Sequence, residues 1–309
     1  MRTYLIRRLV QMIPVFLLVT LIAFVLMNVV PGDPVVTMLG PRAATQTRLV
    51  DRIRHEYGLD QPLVVQYMRF LGGILRGDFG RSFFYKQPVL DLIIERLPIT
   101  IAIAVLAMVV DLVIGVTAGT ISAVKQYSIY DYSGMLIALA GVSIPVFWLA
   151  LLLQLLFAYQ LGWFPVSGMS EGLKSLALPA ITLGLVGSAS TARMTRSCLL
   201  ETLRDDYVRT AQAKGLKERV VISRHVFRNA LIPLVTMEAI GFGAYLTGVA
   251  LLEIVFGLPG LGKLLLDATF NRDLFLIQGA VLFSAFIFLL VNLTVDLLYG
   301  FLDPRIRYQ

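Results

Sequence analysis

The chain has 309 residues, of which 57% are hydrophobic and only 15% are charged, whereas an ordinary soluble protein is about 45–50% apolar and about 25% charged. So much apolar sequence would leave a soluble domain with too little polar surface, and the composition therefore indicates a membrane protein. One cysteine and two histidines exclude an internal disulfide and a Cys/His zinc cluster. The net charge of +7 does not indicate nucleic-acid binding, because the cations lie in loops beside apolar segments.

The first predicted element is an apolar segment at residues 13–30, preceded by Arg2, Arg7 and Arg8. This layout is shared by signal peptides and first transmembrane helices. No small-residue cleavage pattern follows, and the chain turns instead to the sequence PGDP at residues 31–34. We therefore expect an uncleaved membrane anchor that starts in the cytoplasm.

The long segment after this anchor, residues 31–97, is predicted to be a folded element. Residues 47–57 have the pattern of a helix that Gly58 ends, and residues 62–75 have the pattern of a second helix. We expect a folded external loop after the first transmembrane helix. Its surface faces a partner or the pore mouth, or it forms a cap that only shields the helix ends.

Five further apolar segments are long enough to cross a bilayer, which takes about 20 helical residues. They cover residues 99–124, 135–161, 176–192, 231–256 and 275–301. The predicted fold class is therefore an all-α membrane protein with six transmembrane helices. Residues 1–97 form the N-terminal helix with its external loop, and residues 98–309 form the membrane core. The fourth span is the least hydrophobic and contains Gly184 and Gly187, so we expect a buried helix that its neighbours approach closely.

The distribution of cations predicts the orientation of the spans. With the N-terminus in the cytoplasm, the cytoplasmic segments contain most of the lysines and arginines, including those at residues 193–228, and the two short outer loops contain only Lys174, Lys263 and Arg272. This asymmetry follows the positive-inside rule. Both termini are therefore predicted to be cytoplasmic.

Three acidic residues of the predicted spans are candidates for a solute pathway or a gate: Asp111, Glu238 and Glu253. Because an ionised group that faces lipid is costly, each should face the protein interior, a partner or water. Asp111 is either a structural hydrogen-bonding residue or part of the pathway lining. Glu253 precedes the glycine-rich turn at residues 257–262, which favours a role at the outer gate.

Two motifs resemble catalytic or nucleotide-binding signatures without completing them. The sequence GLPGLGK at residues 257–263 has the spacing of a phosphate-binding loop, but Leu264 follows it where a hydroxyl for magnesium is needed. We expect a tight external re-entrant turn there. His55 and Glu56 begin a zinc-protease pattern, but Leu59 stands where the second histidine would be.

The longest predicted cytoplasmic connection, residues 193–229, has the pattern of a helix, a glycine break and a second helix. Gly215 can adopt the positive φ that ends the first helix. Small residues at Ala211 and Ala213 would let another protein come close. Such a helix pair is suited to transmit force from a soluble motor; the alternative is a basic amphipathic helix that rests on lipid headgroups.

The sequences DYVRTAQAKGL at residues 206–216 and RNALIP at 228–233 resemble the cytoplasmic "EAA" loop of ABC importer permeases, in the form of the dipeptide, oligopeptide and nickel branch. Further stretches match in order: PGDP at 31–34, GLDQP at 58–62, GDFG at 77–80, GVSIP at 141–145, LGWFP at 161–165, PGLG at 259–262 and DPRIRY at 303–308. Arg209 departs from the pattern of the wider superfamily, which has an acidic residue there.

The resemblance implies the type I ABC importer permease fold and a B-type permease subunit of a bacterial or archaeal cytoplasmic (inner) membrane. It implies a heterodimer with a homologous permease, two ABC ATPase subunits that bind ATP and magnesium, and an extracytoplasmic solute-binding protein. This chain itself would hold no cofactor and catalyse no reaction. The implied ATPase-coupling residues are Tyr207, Arg209, Thr210, Ala211, Ala213, Lys214, Gly215 and Leu216.

The cargo that the resemblance implies is a di- or oligopeptide, with nickel, glutathione and oligosaccharides as alternatives. A secondary transporter driven by an ion gradient is a rival from another class. It predicts inverted repeats and an ion site near the bilayer midplane, and the sequence has no clear repeat between its halves. A membrane-embedded enzyme would need a clustered set of catalytic residues in the spans, and the sequence has none.

Overall fold

A computed structural model of the chain describes residues 2–29, 35–36, 47–56 and 58–302. The helices are α1 (Arg2–Val29), α2 (Thr47–Glu56), α3 (Leu63–Leu75), α4 (Val89–Val124), α5 (Ile129–Ser143), α6 (Val146–Leu153, continued by π-helical turns at Gln154–Gln160), α7 (Lys174–Thr202), α8 (Asp206–Ala213), α9 (Glu218–Val220, continued by π-helical turns at Val221–Val226), α10 (Phe227–Val255), α11 (Leu261–Phe270) and α12 (Leu274–Leu302). The chain divides into two compact units, Met1–Pro98 with Gly260–Leu293 and Ile99–Pro259 with Thr294–Gln309. The PGDP and DPRIRY motifs lie outside the described residues.

In the first unit, helix α3 packs against α1. The Phe24 ring meets the Tyr67 ring edge to face, with centroids 5.4 Å apart, and the hydroxyls of Thr20 and Tyr67 lie 3.1 Å apart. The predicted succession of helix, Gly58 and helix is confirmed, because α2 ends before Gly58 at φ +67° and α3 follows. The predicted last residue of the first helix, Tyr57, lies outside the described residues.

Two contacts of acidic residues fix the loops of this unit. His55 Nδ1 lies 2.8 Å from the Asp60 carboxylate, and this hydrogen bond lowers the pKa of Asp60. Asp273 is buried, and its Oδ2 accepts hydrogen bonds from Ser82 Oγ at 2.5 Å and from Phe84 N at 2.9 Å. Asp273 therefore ties the loop before α4 to the start of α12.

Helix α4 begins ten residues before the predicted span of residues 99–124. Pro98 lies inside it, where sequence rules favour a helix end. The early turns form nonetheless because Val89, Leu92 and Ile93 are buried against α11 and α12 of the first unit. With 36 residues, α4 is about 54 Å long, which exceeds the roughly 30 Å of a bilayer core.

In the second unit, α7 is the buried helix that the small residues of the fourth span predicted, and this prediction is confirmed. Most residues of its apolar stretch are buried inside the protein. A Cβ atom added to Gly184 would lie only 2.6 Å from the carbonyl oxygen of Ala107 and 2.7 Å from Cβ of Val110. The absence of a side chain at Gly184 therefore lets α4 and α7 approach closely.

Four helices of the described part are long and apolar enough to cross a membrane: Ile6–Val25, Val89–Val124, Lys174–Thr202 and Leu274–Thr294. The predicted third span is not one straight helix. It is broken into Ile129–Gly141 and Val146–Gln160, because Pro145 lacks the N–H that would continue the helix. This bent pair can count as a fifth span. The predicted span at residues 231–256 falls on α10, of which Gly241–Val255 is a shorter apolar helix, so six spans remain a prediction.

Candidate functional site

Residues 206–226 form the candidate coupling segment, which consists of α8, a turn and α9 with its π-helical continuation. Helix α8 ends at Ala213, and Gly215 follows with φ +75°. Its N–H donates a hydrogen bond to the Gln212 carbonyl at 2.9 Å. The predicted arrangement of a helix, a glycine in the left-handed region and a second helical stretch is confirmed.

The inner face of α8 is part of the core of the second unit. Val208 is fully buried and Ala211 nearly so, and both belong to a cluster with Leu199, Val221 and Val226. This corrects the expectation for Ala211, which was predicted to admit the surface of another protein. Its small side chain is enclosed by the chain itself, and it anchors α8 to the helices behind it.

The outer face of the coupling segment carries the other predicted residues. All of these are exposed: Tyr207, Arg209, Thr210, Ala213, Lys214, Gly215 and Leu216. Among the residues that the structure describes, none has an atom within 4 Å of a Cβ atom added to Gly215. The outward surface at the turn is therefore open to a partner.

The outer face of helix α8 is linked to α10 at one end and stabilised by contacts within the helix. Asn229 Nδ2 donates to the Tyr207 hydroxyl at 2.7 Å, which links α8 to the first turn of α10. Thr210 Oγ1 donates to the Asp206 carbonyl at 2.9 Å, and Arg209 lies 3.7 Å from the Asp206 carboxylate. These contacts and the packed inner face make the segment a supported surface.

The packing of α8 argues against a helix that rests on lipid headgroups. Such a helix would turn its apolar side to the membrane. The apolar residues Val208 and Ala211 are enclosed by protein instead. The outer face presents the exposed apolar side chains of Leu216 and Val220 together with several cations.

An ion pair that no sequence motif indicated joins α5 to α7. Asp131 in the first turn of α5 accepts hydrogen bonds from Arg196 of α7, Nε to Oδ1 at 2.7 Å and Nη2 to Oδ2 at 2.8 Å. Oδ2 also accepts from the backbone N of Tyr127 at 3.0 Å, and Oδ1 accepts from the Ser122 hydroxyl. The capping pattern of Ser128 and Asp131 predicts a helix start. No sequence motif near Asp131 indicates that Arg196 forms an ion pair with it.

A second group of predicted residues meets inside the membrane part of the second unit. Asp111 and Glu238 line one cavity of about 470 Å³ together with Thr191 and Tyr245. The Tyr245 hydroxyl donates to Asp111 Oδ2, and Thr191 Oγ1 donates to Glu238 Oε1 at 2.6 Å. Sequence reasoning identified the two acids but not these two partners, which the folding of α4, α7 and α10 brings together.

Glu253 lies apart from this cavity. It is fully buried, and Thr100 Oγ1 donates a hydrogen bond to its Oε1 at 2.5 Å. Its carbonyl oxygen accepts from Leu258 N at 2.8 Å, so the residue holds the turn that follows α10. The GLPGLGK segment follows helix α10 where a phosphate-binding loop would follow a strand, so it lacks the expected context.

Comparison with known proteins gives matches along the whole chain. A family model described as "Binding-protein-dependent transport system inner membrane component" matches residues 115–308, and one described as the N-terminal part of such membrane components matches residues 1–104. A putative peptide transport system permease protein of Brucella abortus is 44% identical over 100% of both chains.

Two further relatives match over 100% of both chains at 40% identity. They are the dipeptide transport system permease protein DppB of Alkalihalophilus pseudofirmus and the glutathione transport system permease protein GsiC of Escherichia coli. Among solved structures, a chain of the MetNI methionine ABC transporter in an inward-facing conformation matches with a TM-score of 0.59 and 18% identity. The match covers 69% of this chain and 96% of that chain, and it concerns the fold alone.

Proposed function

Because the chain belongs to the inner membrane components of binding-protein-dependent transport systems, we propose that it is the permease subunit of an ATP-driven importer of peptides. The membership confirms the family that the sequence motifs implied and makes the chain a multi-pass inner membrane protein. As a permease, it is a non-catalytic part of an ABC importer.

The peptide cargo is supported by the relatives. Proteins named as permeases for peptides and dipeptides are 40–44% identical over their full length. The relative named for glutathione extends the same class, since glutathione is itself a small peptide. We propose di- and oligopeptides as the solute, with glutathione as the second candidate.

The partners in this proposal are a homologous permease, two ABC ATPase subunits and an extracytoplasmic solute-binding protein. ATP and magnesium bind to the ATPase subunits. Both termini and the coupling segment lie in the cytoplasm, residues 1–97 supply the first span and an external loop, and residues 98–309 form the core. The positive-inside distribution of lysine and arginine supports this orientation.

The coupling role rests on the different environments of the two faces of α8. Its outer face is open, while Val208 and Ala211 are packed against the helices behind it. A displacement imposed on the outer face by an ATPase therefore moves α7 and α10 as well. ATP binding and hydrolysis would bias two packings of these helices, which opens the solute path alternately to each side.

The acidic residues divide between two roles in this proposal. Asp111 and Glu238 face the cavity of the second unit and form part of the solute path. Glu253 is buried and accepts a hydrogen bond from Thr100. In this proposal it holds the turn after α10, and it affects an outer gate only through that turn.

The test compares Gly215→Val with Gly215→Asn. Valine resists the left-handed conformation, which costs an L-residue about 1–2 kcal/mol, whereas asparagine tolerates it. No atom of the described residues lies within 4 Å of a Cβ placed at this position. If an ATPase seats on the turn in its native conformation, ATP-dependent peptide uptake in proteoliposomes falls about 5- to 30-fold with valine, because about 1.4 kcal/mol is a factor of ten, and by less with asparagine.

Uptake, ATPase co-purification and ATP hydrolysis are measured separately on each variant, and Gly134→Ala, another glycine with free space around it, serves as the control. Unchanged uptake with both Gly215 variants would remove the coupling role. Uptake driven by an ion gradient without ATP would favour the secondary transporter.

A further inference from the structure

Two carboxylates face one cavity within the membrane part of the second unit. Asp111 is 1% exposed and Glu238 is 6% exposed, and both line the cavity of about 470 Å³. Asp111 Oδ1 is enclosed and has no hydrogen-bond partner among the described residues. A buried oxygen of this kind is costly unless a donor reaches it.

The groups around the two acids do not balance their charge. Hydroxyls donate hydrogen bonds to both acids, Tyr245 to Asp111 and Thr191 to Glu238, and the two carboxyl groups also lie within hydrogen-bonding reach of each other. No lysine, arginine or histidine is among the described residues that line the cavity. Removing charges from water without a counter-charge costs several kcal/mol, and such acids inside membranes are typical of solute or ion pathways.

The walls of the cavity are apolar and its mouth is open. Leu183, Val186 and Met237 line it, and the exposed residues Ser190 and Ala244 lie at its edge. Its volume lies in the range of about 300–1,000 Å³ that is usual for small-molecule sites. A ligand that suits it combines a positive group with an apolar part.

We propose that this cavity binds the ammonium group of the transported solute, with Asp111 and Glu238 as its anionic partners. A primary ammonium has three N–H donors, enough to reach the free Asp111 Oδ1 and the Glu238 carboxylate together. The inference rests on the proposed import function and deepens it, because it gives the permease itself a preference for solutes with a free amine.

The test measures the electrostatic potential in the cavity without relying on transport. Cys198 is the only cysteine of the chain and is buried, so Cys198→Ala provides the background and Ser190→Cys the reporter at the cavity edge. The assembled complex, without ATP or binding protein, reacts with methanethiosulfonates that are cationic (trimethylammonioethyl) or anionic (sulfonatoethyl). Each rate is divided by the rate of the same reagent with a small free thiol in solution. On this normalised scale, a carboxylate pair nearby makes the cationic reagent faster than the anionic one by about tenfold or more at the effective dielectric of a protein site.

Asp111→Asn with Glu238→Gln should bring this ratio to about one. A dipeptide amide with a free N-terminus should slow the reaction of the introduced thiol, and its N-acetyl form should not. A ratio near one without the acid substitutions would overturn the proposal, because it means that the acids are neutral or already paired with a partner chain. Equal protection by both dipeptides, or none, would also overturn it.

These outcomes are independent of the coupling role. The Gly215 variants report on ATP-driven uptake, whereas the reagent ratio reports on charge at the cavity in a resting complex. A failure of one test therefore leaves the other interpretable.

Discussion

Replacing Asp131 by asparagine is expected to destabilise the chain by about 3 kcal/mol. The carboxylate receives two hydrogen bonds from Arg196 and one from Tyr127 N, and its side chain is only 3% exposed. Breaking a buried ion pair from one side costs about 3–5 kcal/mol, because the remaining charge is left without a partner. The lower end of this range applies because the Arg196 side chain is 25% exposed and water can reach it in part.

The assay is a double-mutant cycle of Asp131→Asn and Arg196→Gln, measured as the free energy of unfolding in mixed micelles with increasing SDS. The double variant should lose less stability than the sum of the two single variants, with a coupling energy of about 2 kcal/mol. A coupling energy below about 0.5 kcal/mol would mean that Asp131 and Arg196 do not behave as a buried pair, since that is the size of an exposed surface pair.

Two further predictions concern packing and loop attachment. Gly184→Ala should cost about 1–3 kcal/mol of unfolding free energy by overpacking against the Ala107 carbonyl, whereas Gly134→Ala, with free space around it, should be neutral or slightly stabilising; equal effects would contradict the close approach of α4 and α7. Asp273→Ala should release the loop that contains Ser82 and raise its hydrogen exchange while the rest of the chain stays protected, and unchanged exchange would mean that this carboxylate does not hold the loop.

Features set by neighbouring residues were predictable from the sequence. The turn at Gly215 and the helix ends around Gly58 depend on a local conformation that glycine adopts without steric cost. The buried position of α7 followed from its small residues and low hydropathy. The family followed from short motifs spread in order along the chain.

Features set by distant contacts were not predictable in this way. Asp131 and Arg196 are 65 positions apart, and no local pattern joins them. The helix start at Val89, before Pro98, depends on burial against residues near the other end of the chain. The expected outward direction of Ala211 was wrong, because a small residue suits both a core and a contact surface and the sequence does not separate the two.

The central claim is that the outer face around Gly215 seats on an ATPase subunit. A photo-crosslinking amino acid at Leu216, which is exposed on that face, tests it directly in the assembled importer. Leu173, which is also exposed and lies at the opposite end of α7, is the matched control position. We expect an adduct with the ATPase from position 216 and none from position 173. Absence of the adduct at position 216 in a complex that contains the ATPase, or its appearance at position 173, would mean that the face around Gly215 does not seat on the ATPase.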